Sequence, residues 1–355
     1  MITIRVNGRE YFGFVSAAAT KDIEDFCGQF SFTATGYDFP IKIQDECEIF
    51  VNGRKFLTGF IEKRSVSGSA DDYSINVSGR DKLSLLVDNT INKSYQYVGG
   101  QTLGDFCQKI ISDSNLDIKV IAEKNPVIPA EDFPSCEIDS TIFEVIDDVC
   151  KRLQVIATSN ENGDLILISP GSDLYPTAII NESSNENNNV LQYSYNEDFT
   201  NRFNTYKIYS QTNLSVLASP LDEDITSYDI IATAEDTEIN SQRKINIVMK
   251  NSYNNSQAND YAKYVSNIRR VKSKIYQVTL VLHQGTKDGK IWEYNKLYNI
   301  NDGFAGINTQ MLCKSVTYKY DNSGETTDLL FVAKDAFQVE ASKPKTDRSK
   351  LGELI

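Results

Sequence analysis

The sequence predicts a mainly β protein with an α+β insertion, built from several domains, on three observations. Asn-Gly turns recur between β-favouring runs, two capped amphipathic helices stand together mid-chain, and β patterning returns after a polar break. A length of 355 residues leaves room for two or three domains of ordinary size.

The first ninety residues read as strands. VNGREYFGF from Val6 and VNGRKFLTGF from Val51 each set Asn-Gly (Asn7-Gly8, Asn52-Gly53) between apolar stretches. That dipeptide supplies the positive φ that a tight hairpin turn needs at both central positions. Between them, Phe30, Phe32 and Ala34 alternate with Ser31, Thr33 and Thr35, as in a half-buried strand. A further strand runs through Tyr73, Ile75 and Val77 and closes at Gly79.

From about residue 91 the period changes. Leu103, Phe106, Cys107, Ile110 and Ile111 follow helical spacing, with Thr102 as N-cap. Thr141 and Glu144 form a capping box ahead of a stripe through Ile142, Val145, Ile146, Val149, Cys150 and Leu153. A hairpin turning at Asn162-Gly163 follows, so 91–180 is expected to be a small two-helix α+β module.

The polar run NESSNENNN (181–189) reads as a linker. Strands return in VLQYSYNEDF and FNTYKIYS, and 217–240 is expected to be a long acidic surface loop with at most one short strand. One more helix begins near Ser256, its stripe formed by Ala258, Tyr261, Ala262, Val265, Ile268 and Val271 or Lys272. Arg269, Arg270, Lys272 and Lys274 crowd its C-terminal end, where the helix dipole favours cations. The final β block ends near 340, with a hairpin at Asp-Asn-Ser-Gly, and 341–355 reads as a flexible polar tail.

Composition excludes several classes of function. Thirty-six basic against 49 acidic side chains give a net charge of -13, which repels nucleic acid over most of the surface. Apolar runs are too short for membrane insertion, and the first residues, strand-like from the start, do not read as a signal peptide. Synthesis in the cytoplasm, followed by assembly, is the expectation. The six cysteines form no C-x-x-C pair and match no zinc spacing; they read as reduced core thiols.

Chemistry is equally sparse. The chain has one histidine, His283, at a strand end, so neither a histidine-rich metal site nor a Ser/His pair is indicated. Asp222, Glu223, Asp224, Glu235, Asp236 and Glu238 lack the order of a calcium loop and read as solvated. No phosphate-cradling glycine motif stands between strand and helix. No catalytic residue, cofactor or metal is therefore expected. The basic run Arg243–Lys274 reads as a solvated face, as an ion-pairing contact with an acidic neighbouring subunit or, last, as a DNA contact.

Several of these segments, in this order, resemble the phage late control gene D family, which includes Mu-like baseplate hubs. The resemblance covers about 1–340. It rests on the two VNG hairpins, on VSGRDKLSLLVDNT with Gly79, Arg80 and Asp81, on the helix pair, and on DGKIWEYNKLYNIND with Trp292. It implies two tail-tube-like β-barrel domains, at 1–90 and 181–340, with the module at the periphery. It also implies a homotrimeric ring of pseudo-six-fold character joining tail tube to central spike, with other baseplate proteins as neighbours and a channel for DNA. The alternatives are another tail structural protein or a host-binding adhesin, and after them a tail-associated cell-wall hydrolase. An adhesin favours exposed aromatics on loops, whereas the 19 tyrosines here lie along strand-like segments.

Overall fold

A computed structural model describes residues 1–337 apart from 12, 36–39, 70–72, 135, 137, 172, 183–185, 214–225 and 250–254. The chain forms two compact units. Met1–Tyr195 and Tyr276–Lys334 make the first, while Asn196–Ile275 and the residues from Asp335 make the second.

In the first unit the N-terminal strands are β1 (Ile2–Val6), β2 (Arg9–Tyr11), β3 (Phe14–Asp22), β4 (Gln29–Thr35), β5 (Glu46–Val51), β6 (Arg54–Gly68) and β7 (Tyr73–Asp81). Both VNG hairpins form: Asn7, Gly8, Asn52 and Gly53 all have positive φ, between 47° and 77°. β1 then buries Ile2, Ile4 and Val6 on one face, and β5 buries Cys47, Ile49 and Val51, as period-two alternation requires.

A short helix α1 (Ser84–Asp88) leads into the predicted module. It holds α2 (Leu103–Asp113), β8 (Val120–Ala122), α3 (Ile142–Arg152), β9 (Ile156–Ser159) and β10 (Leu165–Ile168). Thr102 caps α2 by accepting from the Asp105 N–H, and the Thr141–Glu144 capping box closes in both directions. The helices bury Leu103, Phe106, Ile110, Ile142, Ile146 and Val149 in a core of their own, with Leu165 and Leu167 of β10. The sequence pattern did not show β8 pairing parallel to β10, which makes this sheet three-stranded.

The remaining strands of this unit are β11 (Ile179–Asn181), β12 (Val190–Glu197, its last residues crossing into the second unit), β16 (Lys274–Val281, its first two residues in the second unit), β17 (Leu297–Asp302), β18 (Ile307–Asp321) and β19 (Gly324–Ala333). They continue the N-terminal sheet, in the order β12-β16-β19-β18-β3-β4-β7-β6-β5-β1-β2, with β17 and β11 branching from β18. The joint is β18, fifteen residues long. Its first half pairs with β17 and, after an irregularity between Cys313 and Ser315, its second half pairs antiparallel with β3. One core accordingly runs from Ile4, Phe30 and Leu57 to Tyr276, Tyr298 and Phe331.

The second unit holds β13 (Thr205–Asn213), β14 (Thr226–Glu235), β15 (Lys244–Met249) and α4 (Asn255–Lys272). β14 corrects the expected loop near 217–240, since Thr226–Glu235 is a ten-residue strand on β13. Acidic flanks hid the alternation of its short apolar centre, where Ala232 packs with Ile208 against Ala258 and Ala262 of α4. Those two alanines carry the α4 contact, while Tyr261, expected in the stripe, is 37% exposed and stacks on Tyr264. Asp222, Glu223 and Asp224 of the acidic stretch and the tail 341–355 lie outside the described residues.

All six cysteines are free, and burial raises every thiol pKa above its ordinary value. His283 is fully buried, its Nδ1 3.2 Å from the Thr327 hydroxyl and its Nε2 without a partner. Burial pushes its pKa from 6.5 down to about 4, Glu325 opposing. Because the unfolded chain binds the proton first, stability is lost as pH falls through that interval, by roughly 3 kcal/mol in all. Urea titrations of the wild type and His283→Gln across the interval check this. The wild type should lose that much more stability than the variant, and parallel losses would refute it.

Candidate functional site

Gly79, Arg80 and Asp81 lie at the end of β7, between β4 and β6. A Cβ at Gly79 would overlap the Phe60 carbonyl oxygen and crowd the Phe30 ring, so glycine is required where three strands approach so closely. Arg80 points outward and is shared by two carboxylates, Glu62 and Asp88, each 2.7 Å from its Nη2. The Glu62 hydrogen bonds hold its pKa above the ordinary value.

Asp81 points inward and is fully buried. It accepts from the Gly28 N–H at 2.7 Å, the Leu83 N–H at 3.0 Å and the Ser159 hydroxyl at 2.5 Å. Lys21, 5% exposed, donates to the carbonyls of Ser159 and Asn160, both at 3.0 Å. Burial pushes the Asp81 pKa up, against Ser159 and Lys21, and pushes Lys21 down to about 8, against Asp81 and Glu161. Thr58 adds a hydrogen bond to the Glu161 carbonyl at 2.8 Å. These groups fasten the module's β9–β10 hairpin to the N-terminal strands. The Lys21, Asp81 and Thr58 bonds to Ser159, Asn160 and Glu161 make that attachment, while the Gly28 and Leu83 N–H groups hold the Asp81 carboxylate in place.

Trp292 is buried, its ring stacked on Tyr175 at 5.6 Å and tilted toward Tyr298 at 6.2 Å. Its backbone carbonyl accepts the Tyr318 hydroxyl and its backbone N–H donates to the His283 carbonyl at 3.1 Å. The Trp292 segment therefore plugs one end of the core beside β18.

In the second unit the expected basic face resolves into two kinds of residue. Arg270 pairs with Asp335 at 2.6 Å, and Lys274 lies 3.8 Å from Glu238 and 4.0 Å from Glu197. Arg269 instead donates to the Asn201 carbonyl and lies over the Phe203 ring at 5.3 Å. Arg243 lies at the same distance from that ring and donates to the carbonyls of Phe199 and Thr200. Lys272 is exposed.

Sequence reasoning missed the residue that organises this unit. Arg202 is fully buried and clamps Asp236 through Nε at 2.9 Å and Nη2 at 2.7 Å, then reaches Glu238 at 2.9 Å and the Ser273 hydroxyl at 3.3 Å. Burial works to lower its pKa, but the carboxylates outweigh it and hold it raised. Asp236 and Glu238, expected in a solvated loop, are thus structural ligands of an arginine. No local spacing links Arg202 to acids more than thirty residues away, so no signal in the sequence marked it.

Residues 1–81 match the family described as Mu phage baseplate assembly protein GpP-like, N-terminal. Over 98% of its length the chain is 25% identical to the baseplate hub protein gp44 of Escherichia phage Mu, 91% of which is covered. The fold is shared with the 43 kDa tail protein of prophage MuSo2 from Shewanella oneidensis, at a TM-score of 0.79 and 21% identity. That match covers 95% of this chain and 99% of that one. A tail protein from Neisseria meningitidis gives a TM-score of 0.76 at 18% identity, covering 96% and 98%. With its GRD motif fastening strands and its tryptophan packed in the core, the chain is a structural baseplate hub protein, similar over nearly its whole length to the hub of phage Mu.

Proposed function

We propose that three copies of this chain form a ring of pseudo-six-fold character that joins the tail tube to the central spike and leaves a channel for DNA. Residues 1–90 and 181–340 supply its two tube-like barrel domains, with 196–275 inserted in the second and the 91–180 module at the periphery. The observation that carries this reading is the β3–β18 ladder, in which strands from the two ends of the chain pair edge to edge in one sheet. A ring needs such joints in series, and heterologous contacts between copies close it when the rotation per copy is right. The negative net charge suits a lumen past which DNA slides without sticking.

On this reading the protein is not an enzyme, is made in the host bacterial cytoplasm and acts in the virion tail baseplate. It contacts spike, tube and other baseplate proteins, holds no cofactor and reads no nucleic-acid sequence. Light scattering behind a sizing column tests it. A mass near three times 39.9 kDa supports the ring, and a dimer would count against it.

A further inference from the structure

We infer that copies of this chain dock through a basic face of the second unit, formed by Arg243, Lys244, Arg269 and Lys272, against the acidic remainder of a neighbouring copy. The inference rests on the ring reading and names a contact that holds the ring together.

The charge distribution points to a second copy. Residues 196–275 carry ten basic and ten acidic side chains, so the whole net charge of -13 falls on the rest of the chain. Within 196–275 the signs are segregated. Four acids lie at 222–229 and three at 235–238, whereas eight of the ten bases follow from Arg243 to Lys274. Folding removes part of that basic set from play, because Arg202, Arg270 and Lys274 are neutralised by Asp236, Asp335 and Glu238.

Among the described residues, none of the four named pairs with a carboxylate. Arg243 and Arg269 both lie over the Phe203 ring, each guanidinium 5.3 Å from its centroid. Their recorded hydrogen bonds go to the backbone carbonyls of Phe199, Thr200 and Asn201, not to a carboxylate. Two like charges are therefore held against one aromatic ring; Lys244, next to Arg243, and Lys272, three residues beyond Arg269 in α4, are both exposed. Arginine fixed against an aromatic ring surrenders little side-chain freedom on binding a carboxylate, which is why such pairs recur at interface centres. The contact is heterologous, the basic face of one copy against the net-acidic remainder of the next, which is the kind of contact that builds rings.

The test uses the full chain with Lys244→Glu and Lys272→Glu together, positions exposed enough to leave the fold intact, as circular dichroism checks. Trimer association, followed by light scattering over a range of concentrations and salt, should weaken at least about tenfold in the variant. Wild-type association should also weaken as salt rises. Lys244→Arg with Lys272→Arg should associate like the wild type. A wild-type trimer matched by the Glu variant would overturn this inference while leaving the ring reading intact. A wild type that stays monomeric throughout would overturn the ring reading, and this contact with it.

Discussion

Asp81→Ala is expected to lower the stability of the first unit by about 4 kcal/mol. The substitution strips three donors of their acceptor at once: the Gly28 and Leu83 N–H groups and the Ser159 hydroxyl. It also leaves the buried Lys21 ammonium without the carboxylate that favours its charge. Each orphaned buried donor costs about 1–3 kcal/mol, and a cation deprived of its neighbour adds to that. Asp81→Asn keeps the shape and one acceptor oxygen, so it should lose less. Urea unfolding of the three proteins measures both losses. A loss below about 1 kcal/mol for the alanine variant would mean the cluster is not what fastens the module.

Arg202→Met is expected to cost the second unit about 3–5 kcal/mol, because it strands the buried Asp236 carboxylate without its cation. The double change Arg202→Met with Asp236→Leu should recover most of that loss. An ion pair replaced whole by apolar residues of similar size is close to neutral, whereas one broken in half is not. Hydrogen exchange of the β13 amides reads the effect in this unit alone. A double variant as unstable as the single one would show that the clamp is needed for its own sake.

Much of this architecture was legible because it is local. Asn7-Gly8 and Asn52-Gly53 announce their hairpins through backbone conformations that few other residues adopt, and both turns carry positive φ. Thr102 and Thr141 mark their helices through side chains that reach only three residues ahead. What stayed hidden is long-range. The β3–β18 ladder joins positions some three hundred residues apart, and nothing in either strand names its partner. The Arg202 clamp is a second case. Asp236 sits in an acidic run whose composition alone suggests solvent, while burial and charge are set by an arginine from another loop. The boundary at Asn196 is a third, since β12 reads as one continuous strand although its last residues belong to the second unit.

Of the residues the GRD resemblance singled out, each has a job set by packing. Gly79 is a spacer between strands, Arg80 an outward ion-pair centre and Asp81 the inward anchor of the module. Sequence supplied the motif, and only the fold shows that its three residues act in three directions. Trp292 likewise has a packing role, buried and stacked on Tyr175.

End-on electron micrographs of the purified assembly test the central claim most directly. The account predicts a ring with an open centre, three-fold symmetry and six similar lobes, two from each copy. A two-fold particle, or a three-fold one with no central opening, would contradict it.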